Sequence, residues 1–244
     1  MIEPLFYSEQ LAEAGATVTL AGDEAHHAIA SRRLKVGDML WLFDGRGTIA
    51  RAAITGIGAR RREIALRVEE RRTEPPPKPP IHLACALPKG NRQAVLLDMA
   101  TQLGMAGFTP LLCERSVVKP VGGALGRWRR ICLEACKQSR RLHLPEIREA
   151  ATPAEAAARA AAEGARIWIA HPSGGPASCN DAAHAAPGIV LLIGPEGGFT
   201  EKEVAQALSH GARPVSLGPA ILRIETAAVA LLATVALSGG NDAA

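Results

Sequence analysis

The stretch LLIGPEGGFTEKE (residues 191–203) contains a strand end, a tight loop and a helix start. An apolar run ends at Gly194, and a proline, a glutamate and two further glycines follow it. Thr200 and Glu203 have the spacing of a capping box, in which the hydroxyl and the carboxylate accept hydrogen bonds from free helix amides. The stretch therefore predicts a buried strand joined to a helix by the loop 194–198, a connection typical of α/β folds.

Strands and helices alternate on both sides of this stretch. Apolar runs predict strands at 81–87, 109–114, 166–170, 188–194 and 214–218. Apolar periodicity and helix caps predict helices at 91–103, 127–142, 200–210 and 224–237, and one more between Thr152 and Gly164. Apolar strands that alternate with helices are typical of a parallel sheet covered on both faces, which is the fold class we predict.

The N-terminal part has the pattern of a small β-domain. Three alternating runs rich in β-branched or aromatic residues, at 39–45, 48–58 and 62–70, predict strands. One short helix is predicted from Asp23 to Leu34. Together these elements predict a β-barrel of about 70 residues.

A proline-rich segment separates the two patterns. Five prolines stand between Pro75 and Pro80, where they exclude a helix or a central strand and favour a stiff, extended spacer. We therefore predict a barrel over residues 1–72, a linker over 73–80 and the α/β domain over 81–244.

Composition disfavours several classes of protein. The 244 residues contain no run of 18 apolar residues, and the first ten, MIEPLFYSEQ, lack the pattern of a signal peptide. The cysteines form no CxxC pair, so we expect core residues rather than a metal site: Cys85, Cys113, Cys132, Cys136 and Cys179. A reducing, cytoplasmic location fits this usage.

Positive charge is concentrated in the middle of the chain. The net charge is +4, but residues 75–150 alone carry 12 basic and five acidic side chains. The segments on either side are balanced or slightly acidic. Because a concentrated basic surface attracts polyanions and speeds their encounter, this distribution favours a polyanionic partner.

The loop 194–198 lies where ligands bind in open α/β sheets, at the carboxyl end of a strand. It matches neither the GxxxxGK[ST] pattern nor the GxGxxG pattern of nucleotide-binding loops. Glu196 would repel a phosphate, whereas it would accept hydrogen bonds from hydroxyl or amino groups or favour a cation. The loop therefore indicates a ligand that is neutral or positive at this contact; the alternative is a tight turn with an exposed glutamate.

A second loop, in SLGPAILRIETAA (216–228), follows the next predicted strand. It combines apolar side chains with Arg223, Glu225 and Thr226 at the start of a helix. Adjacent strand ends would bring both loops together as an apolar slot with convergent polar groups, the usual form of a small-ligand site. The alternatives are that Glu225 serves only the helix dipole and that Arg223 only pairs with a nearby carboxylate.

These two loops resemble the RsmE family of ribosomal RNA methyltransferases, within the SPOUT superfamily, through IGPEGGFTEKE and LGPAILRIETAA. Three further segments resemble the conserved blocks of the family: 87–119, which contains the ERS turn; 127–147, through EACKQSRRLHLP; and, more weakly, 26–45. The likeness covers nearly the whole chain.

The resemblance implies a SPOUT domain with a deep trefoil knot near residues 188–226 and a PUA-like N-terminal barrel that helps to grip RNA. It implies a homodimer with no metal, and a reaction that methylates N3 of one uridine in 16S rRNA of the small ribosomal subunit. The cofactor would be S-adenosyl-L-methionine. The residues expected to bind it are Ala170, Ile193, Gly194, Glu196, Gly197, Leu217, Gly218, Ile221, Leu222 and Thr226.

Two residues are candidates for the chemistry. The N3 proton of uridine must leave, and negative charge then spreads onto the uracil oxygens, where a fixed cation would stabilise it. Arg223 is our candidate for that cation. The base stays open between Glu225, Glu196 and solvent, and Glu196 suits either cofactor contact or bracing of the loop.

RNA contacts are expected from the basic middle of the chain and from the N-terminal block. The helix predicted from Arg127 is strongly basic, which fits either RNA backbone contact or a solvated face. Where the family commonly has Val-Leu-Arg, this chain has Ser31-Arg32-Arg33, which keeps only the charge. The candidate RNA-binding residues are His27, Arg33, Lys89, Arg115, Gln138 and Arg141.

Two other function classes are considered. A hydrolase that binds another nucleotide is disfavoured because the chain has no phosphate loop and no nucleophile–base motif. The main alternative is a non-catalytic RNA-binding factor of ribosome assembly, against which the two intact loops argue.

Overall fold

The computed structural model describes residues 3–59, 62–120, 123–177 and 187–238. The chain divides into two compact units. The N-terminal unit comprises Met1–Pro76 together with Cys136–Leu144, and the C-terminal unit comprises Pro77–Ala135 together with Pro145–Ala244. Within the described residues, no helix combines the length and the hydrophobicity that crossing a bilayer requires.

The N-terminal unit contains a five-stranded sheet in the order β1-β3-β4-β5-β2. Its strands are β1 (Leu5–Tyr7), β2 (Thr17–Ala21), β3 (Met39–Phe43), β4 (Thr48–Ile57) and β5 (Glu63–Thr73). Strands β3, β4 and β5, which lie at the three predicted strand positions, form an antiparallel meander. Inward-facing apolar side chains such as Leu40, Ile54 and Leu66 are fully buried and form the core of the unit.

The predicted helix from Asp23 to Leu34 is shorter than expected. Helix α1 (Gly22–His26) is followed at once by a π-helical turn (His27–Ser31). Arg33 then takes a left-handed conformation with φ 57°, which a continuing helix does not allow. The helical segment therefore ends before Leu34.

The C-terminal unit contains a six-stranded sheet in the order β11-β9-β10-β6-β7-β8, and every pairing in it is parallel. Its strands are β6 (Ile81–Ala86), β7 (Met105–Leu111), β8 (Glu146–Ile147), β9 (Arg166–Pro176), β10 (Ile189–Ile193) and β11 (Arg213–Ser216). The prediction of a parallel sheet is thus confirmed.

Helices pack on this sheet and bury its central strand. They are α2 (Arg92–Gln102), α3 (Ala124–Ser139), α4 (Pro153–Ala162), α5 (Glu201–Ser209) and α6 (Ile224–Ser238). Helix α2 packs with α6, and α4 packs with α5. All five residues of β10 are buried, as expected for an apolar strand covered on both faces.

Three elements have boundaries that differ from those predicted from the sequence. The strand expected at 109–114 is β7, at Met105–Leu111, and the strand expected to end at Ala170 is β9, which continues to Pro176. The helix expected at 127–142 is α3, which begins at Ala124 and ends at Ser139, because Arg140 takes φ 58°.

Both predicted helix caps are present as complete capping boxes. Thr152 with Glu155 caps α4, and Thr200 with Glu203 caps α5. The two boxes differ in their surroundings. Glu155 is exposed, whereas Glu203 is 7% exposed and its Oε1 also accepts a hydrogen bond of 2.8 Å from the Glu114 amide. Glu203 therefore joins the start of α5 to the segment that follows β7.

We expect Glu203→Ala to destabilise the chain by about 2–4 kcal/mol, because it removes a cap and leaves the Glu114 amide, whose hydrogen bond is partly buried, without its acceptor. Glu155→Ala is the matched control, since it opens the same type of capping box at an exposed position. Urea denaturation of both variants measures the difference. Equal losses of unfolding free energy in the two variants would contradict the linking role of Glu203.

Candidate functional site

A cavity of about 750 Å³ lies at the carboxyl ends of the parallel strands in the C-terminal unit. Three segments form most of its walls: the loop between β10 and α5, the loop between β11 and α6, and a part of β9; Arg115, from the segment after β7, also lines it. All three come from strands that are neighbours in the sheet. The cavity therefore occupies the position where open α/β sheets bind ligands.

Nine of the ten residues expected to bind a cofactor line this cavity. They are Ala170, Ile193, Gly194, Glu196, Gly197, Leu217, Gly218, Ile221 and Leu222. The tenth, Thr226, does not line it and is an exposed residue of α6. The two loops that the sequence analysis expects to meet are thus brought together by the fold.

The loop between β10 and α5 is a tight turn with little free space at its base. Gly198 takes φ 70° and donates a 2.8 Å hydrogen bond to the Pro195 carbonyl. A Cβ atom on Gly194 would lie 3.1 Å from the Phe199 ring, which leaves room only for glycine unless the ring shifts. From outside the loop, the Arg115 guanidinium donates a 2.8 Å hydrogen bond to the Gly197 carbonyl. Arg115 is predicted from the sequence to bind RNA, and in the structure it contacts this loop.

Strand β9 reaches the cavity through an excursion that its sequence does not predict. Ile169 pairs with Pro214 of β11, but the next pair along β11 is Val215 with Gly175. The residues of β9 between these two pairs leave the register, and Ala170, His171 and Pro172 among them line the cavity.

The sequence analysis includes Ala170 and misses His171. The His171 Nδ1 lies 2.8 Å from the Ser173 hydroxyl oxygen, so these two polar groups are paired within the excursion. The apolar pattern of the sequence ends at Ala170 and does not indicate the excursion. The structure reveals it because β9 continues to Pro176.

The loop between β11 and α6 exposes its apolar side chains. Gly218 takes φ 105°, and its amide donates to the Ser216 hydroxyl at 3.3 Å. Ile221 is 97% exposed, and Leu222 is half-buried at the cavity wall. The loop thus supplies an open apolar wall.

The two candidate catalytic residues lie at the start of α6 but do not line the cavity. Arg223 is exposed, and within the described residues no carboxylate lies within 4.0 Å of its guanidinium. The expected ion-pair alternative for Arg223 is therefore not what the structure contains. Glu225 is nearly buried, and its Oε1 lies 3.6 Å from Nη1 of Arg92. Its buried Oε2 has no hydrogen-bond partner in the described part of the chain.

Arg92 is a further candidate for a functional role that was not predicted from the sequence. It begins α2, just beyond the carboxyl end of β6, and its Nη2 also lies 3.9 Å from Oε1 of Glu196. The position after a strand end is the signal that would have found it. Arg92 therefore lies between a carboxylate of the cavity wall, Glu196, and a carboxylate at the start of α6, Glu225, in contrast to the all-cationic surroundings that a phosphate favours.

The other candidate RNA-binding residues do not line the cavity. Lys89 is exposed on the loop between β6 and α2, in the C-terminal unit. His27 and Arg33 lie in the N-terminal unit, where the His27 ring packs edge-on against Phe6 at 6.0 Å. Gln138 and Arg141 also group with that unit.

Arg141 requires a correction. It is expected one helical turn beyond Gln138, but α3 has ended at Ser139 and Arg141 follows the left-handed Arg140. Arg141 is half-buried, and this burial lowers the pKa of its guanidinium. It is therefore not part of an exposed helical face.

The described cysteines are buried side chains of the core, as expected: Cys85, Cys113, Cys132 and Cys136. Burial, together with the nearby Glu203 carboxylate, raises the pKa of the Cys113 thiol to about 12, so it stays neutral at physiological pH. Cys179 lies outside the described residues. Within the described ranges, no group of His, Cys, Asp and Glu is placed to hold a metal ion.

Comparison with known families assigns the chain. A family model described as an RNA methyltransferase domain matches residues 74–236, and a second, described as an RNA methyltransferase PUA domain, matches residues 20–64. Proteins named ribosomal RNA small subunit methyltransferase E are 34% identical in Mycobacterium bovis, over 96% of this chain and 92% of the relative, and 35% identical in Synechocystis, over 93% and 74%. The chain belongs to this family of RNA methyltransferases.

Solved structures of related proteins agree with the family. A ribosomal RNA small subunit methyltransferase E from Neisseria gonorrhoeae, bound to S-adenosyl methionine, superposes with a TM-score of 0.86 at 28% identity and covers 98% of both chains. A methyltransferase from Legionella pneumophila, in complex with the cofactor SAM, gives a TM-score of 0.86 at 30% identity over 98% of this chain and 99% of that one. Both solved chains thus share the fold of this one.

The β9 excursion depends on Gly174, where a Cβ atom would lie 2.5 Å from the Val215 amide nitrogen. We expect Gly174→Ala to force β9 from β11, to destabilise the chain by about 2 kcal/mol, and to disturb the cavity wall at Ala170. Gly175→Ala is the matched control, because nothing lies within 4 Å of a Cβ atom there. Thermal unfolding measures both variants, and an unchanged Gly174→Ala midpoint would show that the close approach is not constraining.

Proposed function

We propose that this chain transfers a methyl group from S-adenosyl-L-methionine to N3 of one uridine in 16S rRNA of the small ribosomal subunit. The observation that carries the proposal is the cavity, because the two loops that form most of its wall are the segments in which the chain resembles its family most specifically. Family members of almost equal length have been solved with the cofactor bound. The named relatives act on small-subunit ribosomal RNA, which supports the same substrate here and a cytoplasmic location.

The residues of the cavity fit this cofactor. A volume of about 750 Å³ lies within the range of small-ligand sites. Ile193, Leu217 and Leu222 offer an apolar slot for the adenine, and the glycine-rich backbone allows close approach. Glu196 offers acceptors for ribose hydroxyls or an amino group, and its charge suits a cationic ligand rather than a phosphate.

We propose separate catalytic roles for Arg223 and Glu225. The bound cofactor supplies a methyl group on a positively charged sulfur, and the chain must hold uridine so that N3 approaches in line. Arg223 would stabilise the negative charge on the uracil oxygens, which its exposed guanidinium is free to meet. Glu225 would accept the N3 proton, since its Oε2 has no other partner among the described residues.

RNA would be held by cations in both units. Lys89 is exposed at the same strand-end edge as the cavity, and Arg33 is exposed in the segment matched by the PUA model. Such contacts to phosphates would position the RNA, and the target base would be read from an unpaired loop. We propose the boundaries 1–72, 73–80 and 81–244 for the barrel, the linker and the SPOUT domain.

We also propose a trefoil knot near residues 188–226 and a homodimer. The placement of β10 between β6 and β9 in the sheet supports a threaded connection.

Exposed apolar side chains support the dimer. Val95 and Met99 form an exposed apolar row on α2, and Leu237 is exposed on α6, which packs against α2. Apolar side chains grouped on one surface are typical of a contact with a second copy.

The substrate assignment is tested in a strain that lacks the gene for this chain. Mass spectrometry of its 16S rRNA is expected to show the loss of one 3-methyluridine, which the parent gene restores. A gene that encodes Arg223→Ala is expected not to restore the 3-methyluridine. If the 3-methyluridine persists in the deletion strain, the substrate assignment is wrong.

In vitro, we expect Arg223→Ala to lower kcat about a hundredfold, the usual effect of losing one group that stabilises developing charge. Its affinity for S-adenosyl-L-methionine, measured by calorimetry, should stay within about threefold because Arg223 does not line the cavity. Lys202→Ala removes an exposed cation from α5 as a control. Light scattering of the same samples should give twice the mass of one chain. Near-normal kcat in Arg223→Ala would remove its proposed role.

A further inference from the structure

Arg92 meets three segments of the C-terminal unit that are distant in sequence. Its Nε donates to the Lys89 carbonyl oxygen at 3.4 Å, within the loop between β6 and α2. Its Nη1 lies 3.6 Å from Oε1 of Glu225 at the start of α6, and its Nη2 lies 3.9 Å from Oε1 of Glu196 in the loop between β10 and α5. One guanidinium thus joins the loop that carries Lys89, the cavity wall and the helix that carries Arg223.

The geometry suits arginine specifically. A guanidinium presents separate N–H groups along the edges of a rigid plane, so it can face three acceptors in different directions at once. A lysine ammonium is a single point charge on a flexible stem and would favour one acceptor at a time. Both carboxylate distances exceed 3.5 Å, so the attraction is Coulombic rather than a pair of short hydrogen bonds.

Burial makes the pair with Glu225 the stronger of the two. The side chains of Arg92, Glu196 and Glu225 are 33%, 40% and 12% exposed. An exposed ion pair contributes little, whereas a nearly buried carboxylate that loses its cation is left uncompensated. Removal of Arg92 would therefore affect Glu225 more than Glu196.

The contacts of Glu225 also define how Arg92 would act. Arg92 lies on the Oε1 side of the carboxylate, and Oε2 has no hydrogen-bond partner among the described residues. Holding one oxygen fixes the orientation of the carboxylate, and with it the direction of the buried Oε2. Arg92 itself does not line the cavity, so its effect on a bound ligand would pass through Glu196 and Glu225.

We propose that Arg92 is a positioning residue of the methyl-transfer site. It fixes the carboxylate of Glu225 for proton acceptance and holds Glu196 at the cavity wall, and so couples cofactor binding to the helix that carries the catalytic side chains. This inference rests on the proposed function, because it assigns Arg92 to the same site.

The experiment compares Arg92→Met, Arg92→Lys and the control Lys202→Met in the full chain. Arg92→Met keeps an unbranched stem and removes the charge. We expect Arg92→Met to lower kcat about tenfold or more and to weaken S-adenosyl-L-methionine binding less, by about threefold, because Glu225 is the more buried partner. Arg92→Lys should recover part of kcat. Lys202→Met, which removes an exposed cation on α5, should change neither quantity.

A double-mutant cycle separates positioning from general stability. Cofactor affinity is measured by calorimetry for Arg92→Met, Glu196→Gln and the double variant, and kcat is measured in the same way with Glu225→Gln. If Arg92 acts through these carboxylates, each second substitution should have a smaller effect in the Arg92→Met background than alone. Thermal unfolding of every variant is recorded alongside.

Additive effects in both cycles, or parent values of kcat and affinity in Arg92→Met, would overturn the inference while leaving the proposed function intact. A fall in activity that follows the unfolding temperature and that Arg92→Lys does not reverse would also overturn it, since that result describes a structural role. If the parent chain neither binds the cofactor nor methylates 16S rRNA, the proposed function fails first and the inference fails with it.

Discussion

The parallel pairing of β10 with β6 on one side and with β9 on the other is the constraint on which the site depends. Parallel strands all end at the same edge of a sheet, so the segments that follow β6, β9 and β10 must emerge together. This pairing brings residues 92, 170 and 196 to the same edge of the sheet. Because β10 is buried along its whole length, this arrangement is also held by the core of the C-terminal unit.

The charges at this edge explain why a glycine-rich loop carries a glutamate. The loop has the tight turn and close backbone approach that phosphate-binding loops use. However, Glu196 stands in the loop itself, and Glu225 stands at the start of α6, where both share Arg92 as a neighbour. Arg92 lies 3.9 Å from Glu196 and 3.6 Å from Glu225, and Arg115 donates a hydrogen bond to the Gly197 carbonyl of the loop. The loop is therefore a braced wall that presents an acceptor side chain, rather than an anion cradle.

Signals that act over a few residues predict much of the fold. The capping boxes at Thr152 and Thr200 follow from local hydrogen-bonding geometry and occur where expected. Strand β7 is predicted too far along the chain because Gly107 interrupts the run that begins at Met105, and a glycine or a proline usually argues against a strand interior. Here Pro110 lies beyond the two residues that pair with β8, so its missing amide is tolerated. Most of the predicted cavity residues are found at the cavity because each follows a recognisable strand end.

The features that could not be predicted from the sequence depend on contacts between distant segments. The two ion pairs of Arg92 are the clearest example. A cation at the start of a helix is locally unfavourable, and its two carboxylate partners lie more than a hundred residues further along the chain. The same separation orders the assembly of the site in time. Pairings between distant segments form slowly, and this site stays incomplete until α6 has been synthesised and packed against α2. Competence to bind the methyl donor would thus mark the end of folding in the C-terminal unit rather than one of its early steps.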